Sequence, residues 1–188
     1  MSYTSIGIFN SVKDWFSGAP SPESLMSRFV KKGDSRALSA LFYQHNNALY
    51  YYLLVMSDAD LAADIAQKTW LKVIEKKHMY NNAGKFEAWL FTMARNALLD
   101  ELRRKSRFEH DHAAVDTLTI DDTEDATNDD FHSALKRLPM EQKEAFSLQQ
   151  EGFSLAEISH ICHVPQETIK TRLRYAKEKL KKALEEKQ

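Results

Sequence analysis

Through most of the chain apolar residues recur every third or fourth position, the period of one buried helix face. In "AADIAQKTWLKVIEK" (Ala62 to Lys76), Ala62, Ile65, Ala66, Thr69 and Val73 form such a stripe, leaving Asp64, Gln67, Lys68 and Lys72 outward. In "KFEAWLFTMARNALLDELRRKSR" (Lys85 to Arg107), Phe86, Trp89, Leu90, Met93, Ala97 and Leu102 form another, with Arg95, Asn96, Asp100 and Arg103 away from it. Near the C-terminus Ile169, Leu173, Ala176 and Leu180 repeat the spacing. The longest apolar run, "ALYYYLLVM" (Ala48 to Met56), is about half of the ~20 residues a bilayer-spanning helix needs, so it reads as a buried helix segment. With only 5 Gly and 4 Pro in 188 residues, turns between strands are poorly supplied, and an all-α fold is expected.

Charge then divides these helices into blocks. Residues 1–106 carry 14 Lys/Arg against 10 Asp/Glu, and residues 131–188 carry 11 against 8. Between them "RFEHDHAAVDTLTIDDTEDATNDD" (107–130) has one Arg against nine acids and no sustained apolar period. Such a segment repels itself and reads as a flexible acidic linker between two small helical domains. Fully extended, it spans at most ~80 Å. It is either an ordinary solvated connector or a tether whose charge imitates nucleic acid inside a basic channel.

The C-terminal block carries the first candidate chemistry. Ser154-Leu155-Ala156-Glu157 is a capping box, in which hydroxyl and carboxylate satisfy amides at a helix start. Ile158 and Ile161 follow on one face, and Pro165 forces the helix to stop before opening the next one. Two short helices about a tight turn, the second basic outside, make a helix-turn-helix. A helix fits the major groove, cations neutralise phosphates, and Arg, Lys, Gln or Thr read base edges. The candidate DNA-binding residues are Gln166, Thr168, Lys170, Thr171, Arg172, Arg174, Tyr175 and Lys177. Lys170, Thr171 and Arg174 are the expected base readers, with Arg172 and Tyr175 nearer phosphates. The last ten residues read as a solvated basic helix end.

Together with "ALKRLPMEQKEAFSLQQEGFS" before it, this block resembles region 4 of the sigma-70 family, which implies recognition of a −35 promoter element. One departure is His163, where the family usually has glycine; that turn position often needs positive φ. The N-terminal block extends the resemblance. "ALSALFYQHNNALYYYLLV" is similar to the first conserved helix of sigma region 2, and Ala62–Lys76 to the helix that grips the β′ clamp helices of RNA polymerase. This implies that Asp64, Gln67, Lys68, Trp70 and Lys72 contact the polymerase core, although Ala63 and Lys68 stand where the family more often has acids. The segment Lys85–Arg107 resembles the −10 recognition helix, preceded by the polar loop "KKHMYNNAGK" (Lys76 to Lys85) that in the family holds a flipped base. Unstacking a base costs a few kcal/mol, which a polar pocket beside a basic helix can offset. The implied −10 residues are His78, Asn81, Asn82, Lys85, Arg95, Asn96, Asp100 and Arg103. Phe86 and Trp89 are either core residues or stacking platforms.

No region 1.1 or folded region 3 fits between the blocks, so the chain is identified as resembling the extracytoplasmic function (ECF, group IV) sigma factors. Expected units are an N-terminal extension (1–20), region 2 (21–106), the acidic linker (107–130) and region 4 (131–188). Implied partners are core polymerase (β′ clamp helices and β flap), promoter DNA and an anti-sigma factor. Residues 1–20 lie outside the pattern, and their stripe Ile8, Val12, Trp15 and Phe16 either packs on the first domain or docks a partner.

Other chemistry is thin. His160, Cys162 and His163 offer no fourth metal ligand, and His110-Asp111-His112 has no scaffold. Neither a glycine-rich phosphate loop nor a nucleophile–base pair stands out, so no catalytic residue, metal or cofactor is assigned. A lone cysteine rules out an intrachain disulfide and suits a reducing compartment. With no secretory signal at Met1, a soluble cytoplasmic protein is expected. The competing reading is a stand-alone helix-turn-helix regulator binding an operator without polymerase, and a third is a module that titrates polymerase without initiating transcription.

Overall fold

The computed structural model describes residues 20–81, 85–111 and 129–185. Among them are eight α-helices and one short 3-10 turn, with no strand. Helix α1 (Pro22–Lys32) starts at Ser21, whose hydroxyl accepts the Ser24 amide, and ends at Gly33 with φ 64°. Helix α2 (Ser35–Met56) is capped by Asp34, which accepts the amides of Arg36 and Ala37 and also pairs with Arg28. Helix α3 (Ala59–Glu75) is capped by Asp58, whose carboxylate accepts the Leu61 amide at 2.8 Å. Each start uses a short oxygen-bearing side chain to satisfy an otherwise orphaned amide.

After the 3-10 turn at Lys77–Met79, the long helix α4 (Phe86–Asp111) completes an N-terminal bundle with α1–α3. Its first amide, of Phe86, donates to Glu23 of α1 at 3.3 Å, which anchors the helix start across the bundle. The C-terminal unit consists of α5 (Asp129–Lys136), α6 (Met140–Gln150), α7 (Leu155–Cys162) and α8 (Gln166–Glu185), with α5, α6 and α7 all packed on α8.

The α3 stripe is as the spacing predicts: Ala62, Ile65, Ala66, Thr69 and Val73 are all buried. Helix α4 differs. Phe86, Leu90 and Ala97 are buried and Trp89, Met93 and Leu102 half-buried, but Ala88, Phe91, Ala94 and Leu98 are buried as well. A single stripe does not describe α4 because it is covered on two sides, by its own bundle and by α7. Phe91 meets Phe153 with ring centroids 4.9 Å apart, and α2 lies against α6. The two units therefore share one continuous core.

The acidic linker expected over 107–130 is helical at both margins, since α4 runs on to Asp111 and α5 begins at Asp129. Its central residues 112–128, the N-terminal stripe and the candidate Asn82 lie outside the described residues. Among the described residues no helix is long and apolar enough to cross a membrane.

Candidate nucleic-acid and polymerase interfaces

The helix-turn-helix is built as its sequence dictates. Ser154 and Glu157 form the reciprocal capping box, the Ser154 amide donating to Glu157 Oε2 at 2.8 Å. His163 ends α7 in the left-handed region, φ 56° and ψ 43°, the conformation its place in the turn demands. The Ser159 hydroxyl donates to the Val164 carbonyl at 2.6 Å and clamps the turn from within α7.

Helix α8 then buries Ile169, Leu173, Ala176 and Leu180 and presents Gln166, Lys170, Thr171, Arg174, Tyr175 and Lys177 to solvent. Thr168 and Arg172 are half-buried and, with Thr171, Tyr175, Glu167 and Gln142, line a shallow cavity of about 330 Å³. The pairings on this face are local and exposed: Lys170 with Glu167 at 2.6 Å, and Arg174 with Glu178 at 4.0 Å. The Arg174 guanidinium also lies over the Tyr175 ring at 5.0 Å. Exposed pairs of this kind are weak, so these cations are readily exchanged onto phosphates or bases.

On α3, Asp64 pairs with Lys68 at 2.6 Å, Gln67 is exposed and Lys72 half-buried. Trp70 is buried, its indole N–H donating to Asn46 Oδ1 at 3.1 Å. It forms the floor of two adjoining apolar grooves of about 210 and 320 Å³ between α2 and α3. The walls include Phe42, Tyr43, Leu71 and Ile74, which are 39%, 82%, 52% and 44% exposed. Sequence reasoning missed these four; their signal was an apolar residue off the buried stripe of an otherwise amphipathic helix.

The −10 candidates separate into two groups. His78, Asn81, Asn96, Asp100 and Arg103 are exposed, the last two paired with each other at 3.1 Å. Lys85 and Arg95 instead reach into the C-terminal unit. Lys85 bridges Glu157 at 2.9 Å, and this hydrogen bond chiefly raises its pKa. Arg95 Nε donates to Glu144 Oε1 at 2.7 Å. Burial opposes the Arg95 charge, but the bond and charge of Glu144 outweigh it and hold the guanidinium protonated. Glu144, only 3% exposed, also accepts from the Tyr52 hydroxyl at 3.3 Å and the Cys162 thiol at 3.4 Å. Burial, reinforced by Glu144, pushes the Cys162 thiol up to about 12, so it remains protonated. The thiol is thus a small interior donor, and the exposed rings of His160 and His163, 6.3 Å apart, lie on the surface of the turn. Phe86 is fully buried and Trp89 packs half-buried on Tyr80, so Phe86 is a core residue.

A helical bundle packed on a basic helix-turn-helix has the architecture of a DNA-binding transcription protein. Sigma-70 region 2 matches residues 41–108 and sigma-70 region 4 matches residues 128–180. The chain is 30% identical over 165 residues to the ECF RNA polymerase sigma factor SigL of Mycobacterium tuberculosis, covering 81% of this chain and 92% of SigL. In structure it is similar to the sigma factor RpoE of Bartonella quintana, solved in complex with the anti-sigma factor NepR, with a TM-score of 0.68 and 29% identity over 78% of this chain and 96% of that one. The fold is shared with CnrH, solved with the cytosolic domain of CnrY, at a TM-score of 0.66 and 22% identity over 89% and 99% of the two chains. The chain belongs to the ECF sigma factors of the sigma-70 family. Its function is that of a sigma factor in promoter-specific initiation by RNA polymerase, and not that of a stand-alone regulator.

Proposed function

We propose that the α2/α3 face seats on the polymerase core, that α4 and its preceding loop take the −10 element and support melting, and that α8 reads the −35 element. The observation that carries this reading is α8 itself: Lys170, Thr171 and Arg174 stand exposed on a helix whose opposite stripe is buried and whose start is fixed by the capped α7. Helix insertion in the major groove requires that combination of rigid placement and open donors. For the core interface, the support is the apolar groove floored by Trp70 and edged by the polar Asn46 and Gln67. Apolar pockets rimmed by polar groups are where binding energy concentrates. An anti-sigma factor is the expected regulator, since the similar RpoE was solved in complex with one.

The test is purified protein with core polymerase and a promoter library. Specific run-off transcripts are the expected result. Core binding without transcripts makes the chain a titrating module, and tight operator binding with no core association overturns the reading.

A further inference from the structure

The cleft between α2 and α3 is apolar, open and uncharged. Phe42, Tyr43, Leu71 and Ile74 stand in its walls at 39% to 82% exposure, above the floor made by Trp70. Ser39, Asn46 and Gln67 are its polar members, and among the described residues no Asp, Glu, Lys or Arg lines it. Large apolar side chains left in water along two neighbouring helices mark a surface with an occupant. That occupant carries apolar side chains at helical spacing and little charge, because a charge entering such a cleft loses its water and gains no partner.

Of the stretches outside the described residues, 1–19 and 112–128 are long enough to fill the cleft. The second carries five acids and no Lys or Arg, which uncharged walls cannot offset. The first carries only Lys13 and Asp14, adjacent and opposite in sign. Its Ile8, Val12, Trp15 and Phe16 fall at i, i+4, i+7 and i+8, the anchor spacing of a helix laid into a groove. Asn10, Lys13, Asp14 and Ser17 take the opposite face.

The tether is long enough as well. Helix α1 starts at Ser21, and its Glu23 accepts the Phe86 amide at 3.3 Å. The Phe86 ring stands 6.4 Å from that of Trp70. Standard bond lengths then put Ser21 within about 25 Å of the cleft floor. Extended chain from Phe16 to Ser21 covers up to ~17 Å, and a helix over residues 8–16 a further ~12 Å.

We propose that residues 8–16 form a helix that seats Trp15 and Phe16 in the α2/α3 cleft of their own chain. The adjoining cavities of about 210 and 320 Å³ give each ring its own recess. If the cleft is also the seat of the polymerase core, the segment is a built-in competitor that the core displaces; only this competition rests on the reading above.

The test uses the full chain with a thiol at Ser39, an exposed cleft position where Ser→Cys leaves the apolar walls intact. Native Cys162 is buried, so alkylation reports position 39. Adding Trp15→Ser with Phe16→Ser should speed that alkylation at least about tenfold, because the open fraction rises. Both changes lie outside the described helices and leave the core residues in place. A control thiol at the exposed Lys179 of α8 should react equally with and without them. An unchanged rate at position 39 overturns the seating. Protection that fades on dilution overturns it too, since the occupant is then a second copy. The double variant should also bind core polymerase at least about threefold more tightly. Faster alkylation with equal core affinity keeps the seating and puts the core interface elsewhere, so the two readings fail separately.

Discussion

Helices α8 and α4 are both long, both carry candidate DNA-binding cations, and meet their surroundings in opposite ways. Helix α8 buries one stripe and leaves Lys170 and Arg174 in water, paired with acids three or four residues away. Helix α4 is buried on two sides, and Arg95 is taken up by an acid 49 residues along the chain. The difference teaches that a recognition face is set by what covers it as much as by its residues. Local pairs are weak and exchangeable, whereas a desolvated pair is a commitment of the tertiary structure.

Four measurements break or sharpen this contrast. Phe91 is 2% exposed and sits where both units meet, so Phe91→Ala should cost about 3–5 kcal/mol in chemical denaturation. A cost near zero would mean that α4 is not covered on its second side. On the open face, Arg174→Ala should cost about 1–3 kcal/mol in promoter binding and relax specificity at one −35 position. Uniform weakening on every promoter would mark Arg174 as a phosphate contact instead.

Glu151, at the end of α6, has its carboxyl pushed up to about 7 by burial. The folded state therefore holds that proton more tightly than the unfolded chain. Its stabilising effect is complete below the unfolded value near 4.5 and is lost as pH rises through 7. Glu151→Gln should remove this slope and be about 1 kcal/mol more stable than wild type at pH 8, the group keeping some contact with water. Thermal melts from pH 4 to 8 check it; parallel curves for the two proteins would refute the burial argument. The smallest effect concerns the turn. His163 is the only non-glycine residue with positive φ among those described, and His163→Gly should gain about 0.5 kcal/mol in the same melts.

Much of the fold was legible because the information was local. The α3 stripe follows from spacing, the start of α7 from Ser154 and Glu157, and the left-handed turn from His163 standing where the family has glycine. The −35 candidates were legible for the same reason, since α8 has one buried face and its cations fall on the others. The partner of Arg95 was not. Glu144 sits in a helix of modest amphipathicity, and nothing in its neighbours distinguishes it from a solvated acid until α4 and α2 are laid against it. Phe91, Ala94 and Leu98 failed for a related reason: a second covering layer buries residues that the first layer's period assigns to solvent. The groove walls Phe42, Tyr43, Leu71 and Ile74 escaped because apolar residues off the stripe look like noise until two helices bring them side by side.

That groove has a consequence for how the protein responds to ionic strength. On the proposed reading its attraction for the polymerase core would come from apolar area, which added salt leaves intact, whereas each phosphate contact proposed for α8 would weaken as counterions compete for the backbone. A rise in salt should therefore loosen the grip on the double helix first and leave the protein still seated on whatever fills the cleft above Trp70.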